Sequence, residues 1–125
     1  MDIINPDFAD HCMNLHKKPF ELIRSGKKTI ELRLYDRKRR KIKVGDIIQF
    51  TNSTDPNEKI FVTVNSIHIY PTFKELYEEL PLEKCGYSKE ELPDASYTDM
   101  YEYYTQSQQE KCGVVGIEIS LKDSV

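Results

Sequence analysis

The sequence has no long apolar run, and no stretch approaches the roughly 18 consecutive apolar residues of a membrane-spanning helix. Its first seven residues lack the basic and apolar stretches of a signal peptide. Internal repeats, low-complexity segments and long linkers are missing as well. We therefore expect one domain over residues 1–125, in the cytoplasm and without a membrane partner.

Cysteine is scarce, and metal-binding spacings are missing. The three cysteines, Cys12, Cys85 and Cys112, are odd in number and widely separated. This predicts free thiols in a reducing compartment rather than a disulfide framework. No Cys-x-x-Cys or His-x-x-x-His pair occurs, and His11, Cys12 and His16 form too isolated a set to predict a metal site. The sequence thus predicts neither a metal nor a cofactor.

Positive charge is in the minority, but it is concentrated in one segment. The net charge of −3 by itself argues against a nucleic-acid partner. Residues 17–43, however, contain twelve basic and three acidic residues, so that this segment is +9 and the remainder −12. A charge distribution divided in this way can attract a polyanion to one side of an acidic protein. Composition therefore does not exclude RNA or nucleotides.

Hydrophobic periodicity predicts strands and short helices in irregular order. Alternation of apolar and polar residues, together with a short apolar run after the turn at Gly45, predicts strands at 11–16, 29–35, 47–50, 60–70 and 115–121. Helical spacing, with stop and capping residues, predicts helices from Pro19 to Gly26, at 72–80 and at 97–107, a helical turn at 88–91, and a turn at 52–58. The apolar parity changes within the fourth strand, which predicts a bulge near Asn65–Ser66. The predicted fold class is α+β: a small mixed β-barrel of about five to six strands with three short flanking helices.

The most informative cluster surrounds the second predicted strand. Glu31 and Arg33 share one face of it, so they can contact the same ligand or form an ion pair with each other. The run 37–41 follows directly and is either a phosphate-contacting loop or a solvated surface loop. Tyrosines at 97, 101 and 104 have core spacing, whereas Tyr103 points elsewhere and could stack on a base. Asp94 or Asp99 could supply a second acid.

These residues also bear a family resemblance. The signature of the ASCH domain family, relatives of the PUA RNA-binding fold, resembles the run Gly26-x-Lys28-x-x-Glu31-x-Arg33. Stretches at 19–23, 43–48 and 113–119 fit the same family in the expected order, so the resemblance covers most of the chain. It implies a PUA-like β-barrel whose cleft is lined by the polar face of the Glu31 strand. It also implies a role in RNA binding or RNA-linked metabolism.

We therefore predict a binding module that holds RNA, a nucleotide or a nucleoside in a polar, basic cleft. Its predicted ligand-binding residues are Lys27, Lys28, Thr29, Glu31, Arg33, Arg37, Lys38, Arg39, Arg40, Asp99 and Tyr103.

An enzyme in the same cleft is the alternative. One bacterial relative is an amidohydrolase of acetylated cytidine nucleosides with a lysine-activated threonine. Lys28 aligns with that lysine, but Glu31 occupies the position of the nucleophile, and Thr29 is the nearby hydroxyl. Glu31 could instead serve as a general base toward water, with Lys28 or Arg33 stabilising the oxyanion, which makes Lys28 and Glu31 the candidate catalytic residues. Ribonuclease action and a protein-interaction role for the acidic helices 73–80 and 98–109 are further hypotheses.

Overall fold

Eight regular elements follow one another along the chain in the computed structural model, which describes residues 8–122. The strands are β1 His11–Leu15, β2 Ile30–Leu34, β3 Ile47–Asn52, β4 Asp55–Tyr70 and β5 Val114–Leu121. The α-helices are α1 Lys17–Arg24, α2 Phe73–Glu79 and α3 Gln106–Cys112. Short 3₁₀ segments occupy Arg39–Lys41, Leu82–Cys85, Leu92–Asp94 and Tyr97–Glu102. Within residues 8–122, no helix has the length and apolar character needed to cross a membrane.

The five strands form one mixed sheet in the order β1-β3-β4-β5-β2. β1 and β3 are parallel, and the other three pairs are antiparallel. The 16-residue β4 pairs with β3 along its first half and with β5 along its second half. Its register shifts between Val64 and Ser66, which confirms the predicted bulge. Because a bulge bends its strand and increases the local twist, this position helps the sheet to curl.

Side chains, rather than a backbone ladder, link the two edge strands of the curled sheet. Arg33 Nη2 on β2 donates to the backbone carbonyl of Asn14 on β1 at 2.8 Å. Lys38 Nζ donates to the carbonyl of Cys12 at 2.7 Å. The sheet is thus a half-barrel. The side chains of Arg33, on β2, and Lys38, in the loop after β2, bridge the gap to β1. This architecture confirms the predicted α+β barrel-like fold, with five strands among the described residues.

Two apolar clusters lie on opposite faces of the sheet. Inside the curl, Phe20 and Ile23 of α1 pack against β3, β4 and β5, and both are at most 1% exposed. On the outer face, the alternating apolar residues of β2 pack with Phe73 and Leu76 of α2. Full burial of one such side chain contributes about 1.5–3 kcal/mol, so these contacts hold both helices on the sheet. The other β2 face, which carries Glu31, is directed into the curl.

Two sequence predictions need correction. The predicted helix at 97–107 is a 3₁₀ segment, Tyr97–Glu102, followed by the separate helix α3. A new helix begins after Thr105, because the Thr105 hydroxyl accepts from the Gln108 N–H and forms a second capping box. The predicted turn at 52–58 is also much shorter, because the buried Asn52 side chain accepts from the Thr54 N–H and closes the turn at once.

Candidate functional site

A cavity of about 400 Å³ opens along the free edge of β2. The β1–α1 junction forms one side of it, and residues from the 3₁₀-rich stretch between α2 and α3 form the other. Small-molecule sites in proteins measure about 300–1,000 Å³ and combine apolar walls with a few convergent polar groups. The cavity has this size and composition, and it contains the signature residues of β2.

A buried ion-pair triad forms the floor of the cavity. One carboxylate oxygen of Glu31 lies 2.9 Å from Lys28 Nζ, and the other lies 2.9 Å from Arg33 Nε. Glu31 is only 3% exposed. Its side chain points into the curl because of the strand register. Glu31 and Arg33 pair with Ile117 and Val115 of β5, whose side chains belong to the core inside the curl. Alternation along β2 therefore carries both charged side chains inward.

The Glu31 carboxylate and its two flanking cations favour each other's charged forms. Burial by itself raises the pKa of Glu31, but the charges of Lys28 and Arg33 outweigh burial and hold this pKa below its ordinary value. Burial acts to lower the pKa of Arg33, and the neighbouring Glu31 carboxylate more than offsets it, so that this pKa is raised. Two cations and one anion leave the floor with a net charge of +1.

The free hydrogen-bonding groups of the floor are donors. The Lys28 ammonium has three N–H donors, of which Glu31 takes one. The Arg33 guanidinium has five, of which Glu31 takes one and the Asn14 carbonyl another. Two donors of Lys28 and three of Arg33 have no partner among residues 8–122. A ligand that reaches this floor therefore meets N–H groups.

A glycine positions the Lys28 side chain. Gly86 ends the segment Leu82–Cys85 with φ +112°, a backbone conformation that residues with a side chain adopt only at a cost. A Cβ atom at this position would lie 3.3 Å from Lys28 Cδ and 3.7 Å from Leu22 Cδ1. The backbone N–H of Thr29 also donates to the Lys84 carbonyl at 2.9 Å. The aliphatic part of Lys28 is thus packed against this segment.

A hydrogen-bonded chain of three side chains forms a further wall. The Tyr77 hydroxyl lies 2.8 Å from the Tyr87 hydroxyl, which donates to Asp99 Oδ2 at 2.8 Å. Asp99 also accepts from the backbone N–H of Ser96 at the start of the last 3₁₀ segment. Burial raises the pKa of Tyr77 to about 12, and burial followed by the hydrogen bonds to Tyr77 and Asp99 raises that of Tyr87. Both phenols stay neutral and keep the chain intact.

Two aromatic rings stand at the mouth of the cavity. Tyr103 is 61% exposed, and its ring centroid lies 6.4 Å from that of His16, with an angle of 34° between the ring planes. They come from opposite sides of the cavity, since His16 precedes α1 and Tyr103 follows the last 3₁₀ segment. Next to them, Tyr104 stacks on Phe73 at 5.9 Å and lies below the surface. The exposed pair offers aromatic faces to a planar ligand.

The cavity is mixed in charge, where the sequence predicted a basic cleft. Its ionisable lining residues are three cations and four carboxylates, a net of −1 with histidine neutral: Lys18, Lys28, Arg33, Glu31, Glu91, Asp99 and Glu102. Among these carboxylates, Glu91 and Glu102 are exposed at the rim. The positive charge of segment 17–43 therefore lies largely outside the cavity.

The structure brings five of the predicted ligand-binding residues together and leaves six outside the cavity. Those inside are Lys28, Glu31, Arg33, Asp99 and Tyr103. Those outside are Lys27, Thr29, Arg37, Lys38, Arg39 and Arg40. Asp94, the alternative acid, also lies outside, so that Asp99 is the acid that faces the cavity.

Protein contacts hold most of the basic loop 37–41. Lys38 bonds to β1, as described above, and Arg39 pairs with Asp36 at 3.1 Å. The Arg40 guanidinium lies 4.5 Å from the centre of the Tyr35 ring and donates to the Cys112 carbonyl. Arg37 is exposed and has no hydrogen bond to any residue within 8–122. The loop is thus an ordered surface beside the β1 edge.

Three residues of the cavity, His16, Gly86 and Tyr87, are not among the predicted site residues. The sequence pattern places His16 at the end of a strand and assigns the stretch around Gly86 to no element. Their roles arise from contacts between distant parts of the chain, such as the pairing of Tyr87 with Asp99. The available signal was the glycine itself, which follows a helical turn and marks a left-handed stop.

The lining offers little to a nucleophilic mechanism. No serine or threonine of the described chain lines the cavity, and Thr29 borders a separate small hollow with Ile119 and Leu121. Burial raises the pKa of the Cys85 thiol to about 12, so that it is not a thiolate at neutral pH. Glu31, with both oxygens paired and a lowered pKa, is a weak general base. The arrangement is suited to binding.

Comparison with known proteins gives the family. The family model of the ASCH domain matches residues 13–123. The crystal structure of the hypothetical protein PH0355 is 38% identical and covers 90% of this chain and 98% of its own, with a TM-score of 0.73. The solution structure of protein PF0455 from Pyrococcus furiosus is 35% identical and covers 91% and 97%, with a TM-score of 0.64. None of the curated proteins matches.

A third structure shares the fold at low identity. The Zymomonas mobilis ASCH protein, crystallised as a tyrosine-to-phenylalanine variant, is 16% identical and covers 87% of this chain and 67% of its own, with a TM-score of 0.61. The curled half-barrel with three helices is accordingly the α+β, PUA-like fold. By the family match and by its similarity to PH0355, this chain belongs to the ASCH domain family.

Proposed function

We propose that this ASCH domain binds RNA or a nucleotide and holds one base in the cavity. ASCH domains are generally linked to RNA binding. The observation that carries the proposal is that one cavity is lined both by the exposed Tyr103–His16 pair and by the buried cations Lys28 and Arg33. Aromatic rings at the mouth and hydrogen-bond donors at the floor are the two elements that single-stranded nucleic-acid sites combine for one base.

The spacing of the two rings supports a clamp. A ring inserted between them needs van der Waals contact of about 3.5–4 Å on each face, or about 7–8 Å between the outer rings. The present separation is 6.4 Å, so that a parting of about 1 Å admits a base. Both side chains are exposed, and exposed side chains change rotamer on a fast timescale.

The basic loop supports contact with the neighbouring phosphates of a strand. Lys38 bonds to the carbonyl of Cys12, and Arg33 at the cavity bonds to that of Asn14, two residues further along β1. Two residues of a strand span roughly 6.6 Å, a distance that one nucleotide of an extended RNA bridges. A base in the cavity would therefore place an adjoining phosphate beside the loop.

Single-stranded RNA of mixed sequence, labelled with a fluorophore and followed by anisotropy, tests the proposal. Stacking on one aromatic side chain is worth about 1–3 kcal/mol, so that Tyr103→Ala should raise the Kd about tenfold. Phe8→Ala is the matched control, because Phe8 is likewise exposed, at 54%, and lies outside the cavity. Equal loss in both variants, or no RNA or nucleotide binding by the unmodified chain, would refute the proposal.

The salt dependence of RNA affinity tests whether the loop 37–41 contacts phosphates in addition to the base in the cavity. Each phosphate neutralised on a single strand contributes a slope of about −0.7 in log affinity against log salt. Arg37→Gln should therefore make this slope shallower by about 0.7 if Arg37 contacts a phosphate. Lys59→Gln, at an exposed cation of β4, should leave the slope unchanged. An identical slope in the unmodified chain and the Arg37 variant would remove the loop from the site.

A further inference from the structure

The hydrogen-bonding character of the cavity floor is one-sided. Glu31 is the buried acceptor there, and each of its oxygens already faces a cation at 2.9 Å. At 3% exposure, its carboxylate is inaccessible to an incoming base. The groups left for a ligand are the free N–H donors of Lys28 and Arg33. A ligand that is well matched to the floor must present acceptors.

The four RNA bases divide on this point. Guanine and uracil carry a carbonyl oxygen where adenine and cytosine carry an amino group. A carbonyl directed at the floor accepts from Lys28 or Arg33, as in the pairing of these side chains with guanine. An amino group there would leave donors facing donors, and buried groups without partners cost free energy. We infer that the cavity selects keto bases, guanine and uracil, over amino bases, an inference that rests on the proposed function.

The donors are fixed before a ligand arrives. A single carboxylate holds both cations, and the Asn14 carbonyl restrains the Arg33 guanidinium a second time. Gly86 packs against the stem of Lys28. A rigid donor pair loses little conformational entropy on binding, so that discrimination between a carbonyl and an amine is retained. Correct pairing of this kind discriminates by about 1–3 kcal/mol, about fivefold to more than a hundredfold.

The carboxylates of the wall and the rim could bind a base in a competing orientation. Asp99 is half-buried, with one oxygen engaged by Tyr87 and Ser96, and Glu91 and Glu102 are exposed. A base whose amino group faced these acids would reverse the preference. Glu91 and Glu102 are solvated and contribute less than the buried cations, so that the other oxygen of Asp99 is the main competing acceptor. The direction of the preference therefore reports which side of the cavity recognises the base.

Calorimetric titration of the full chain with matched nucleotide pairs tests the inference. Inosine and adenosine 5′-monophosphates differ in the carbonyl or amine at C6 and the adjacent ring nitrogen, and uridine and cytidine 5′-monophosphates differ in the equivalent way. We expect the keto member of each pair to bind at least about fivefold more tightly. Equal affinities within the pairs, or tighter binding of the amino members, would overturn the inference and leave the proposed function standing.

Ribose 5-phosphate separates a base carbonyl from a phosphate as the group on the floor. If it binds as tightly as all four nucleotides, the cations hold the phosphate and the keto preference is overturned. If none of these compounds binds and single-stranded RNA does not bind either, the proposed function fails as well. The two failures are therefore distinguishable in one series of titrations.

Variants of the floor locate the selectivity. Lys28→Met removes the ammonium and retains most of the stem, and it should reduce the inosine-to-adenosine affinity ratio at least threefold, a loss of about 0.7 kcal/mol of discrimination. Lys59→Met removes an exposed cation of β4 and should keep the ratio. An unchanged ratio in the Lys28 variant, with folding verified by thermal unfolding, would overturn the inference. Should that variant not fold, the nucleotide pairs on the unmodified chain still decide.

Discussion

Glu31→Gln should destabilise the protein far more than the loss of one surface ion pair would. The amide keeps one acceptor, so that either Lys28 or Arg33 retains a partner while the other faces an N–H₂ donor. Both cations then remain near one another with side chains only 11% and 15% exposed and no anion between them. Removal of one partner from a buried ion pair costs about 3–5 kcal/mol, and the retained hydrogen bond places this substitution near 3 kcal/mol.

Urea and thermal unfolding measure this loss. For a chain of this size, about 3 kcal/mol corresponds to a decrease in Tm of roughly 10–15 °C. Glu58→Gln is the control, because the Arg24–Glu58 pair is exposed and contributes about 0–1 kcal/mol. Lys28→Met combined with Glu31→Gln should lose less than the sum of the single variants, since it removes a stranded cation. A loss below about 1 kcal/mol for Glu31→Gln, or strict additivity, would show that the triad is not a coupled buried unit.

Two further predictions concern acid stability and the positioning of Lys28. Because the folded-state pKa of Glu31 lies below its ordinary 4.5, the unfolded chain binds more protons there, and stability should decline as the pH falls below about 4.5 toward the folded-state pKa. Urea unfolding between pH 3 and 7 should show a shallower decline in Glu31→Gln, and identical pH profiles would contradict the assignment. Gly86→Ala should cost about 1–2 kcal/mol through its positive φ and should also weaken nucleotide binding through Lys28. Gly45→Ala has comparable strain at φ +93° without a neighbouring atom within 4 Å, and should lower stability alone. A binding loss of the same size in both variants would show that Gly86 does not position Lys28.

Local periodicity was sufficient to predict most of the strands and helices. The alternation in β2 and β5 reflects the different environments of the two faces of each strand, so that both strands can be predicted from the sequence. The bulge at Asn65 could also be predicted from the sequence, because a change of apolar parity within a strand requires an extra residue. The prediction of one helix at 97–107 was wrong because local periodicity does not decide the structure there. Two capping boxes, Ser96–Asp99 and Thr105–Gln108, compete within thirteen residues, and packing of Tyr104 on Phe73 contributes to the outcome.

The sequence by itself indicated the family, through the order of its motifs, and the α+β barrel-like fold, through its periodicity. It also placed Glu31 and Arg33 on one face of a strand, because side chains two residues apart on a strand point the same way. Only the tertiary structure decided the character of the cavity. It buries Glu31 between two cations and brings Tyr103 over His16, which stands 87 residues earlier in the chain. It also places loop 37–41 against the β1 edge and brings carboxylates from the stretch between α2 and α3 to the cavity. Long-range packing, which no local pattern encodes, thus turned a predicted basic cleft into a cavity of mixed charge with a donor-lined floor.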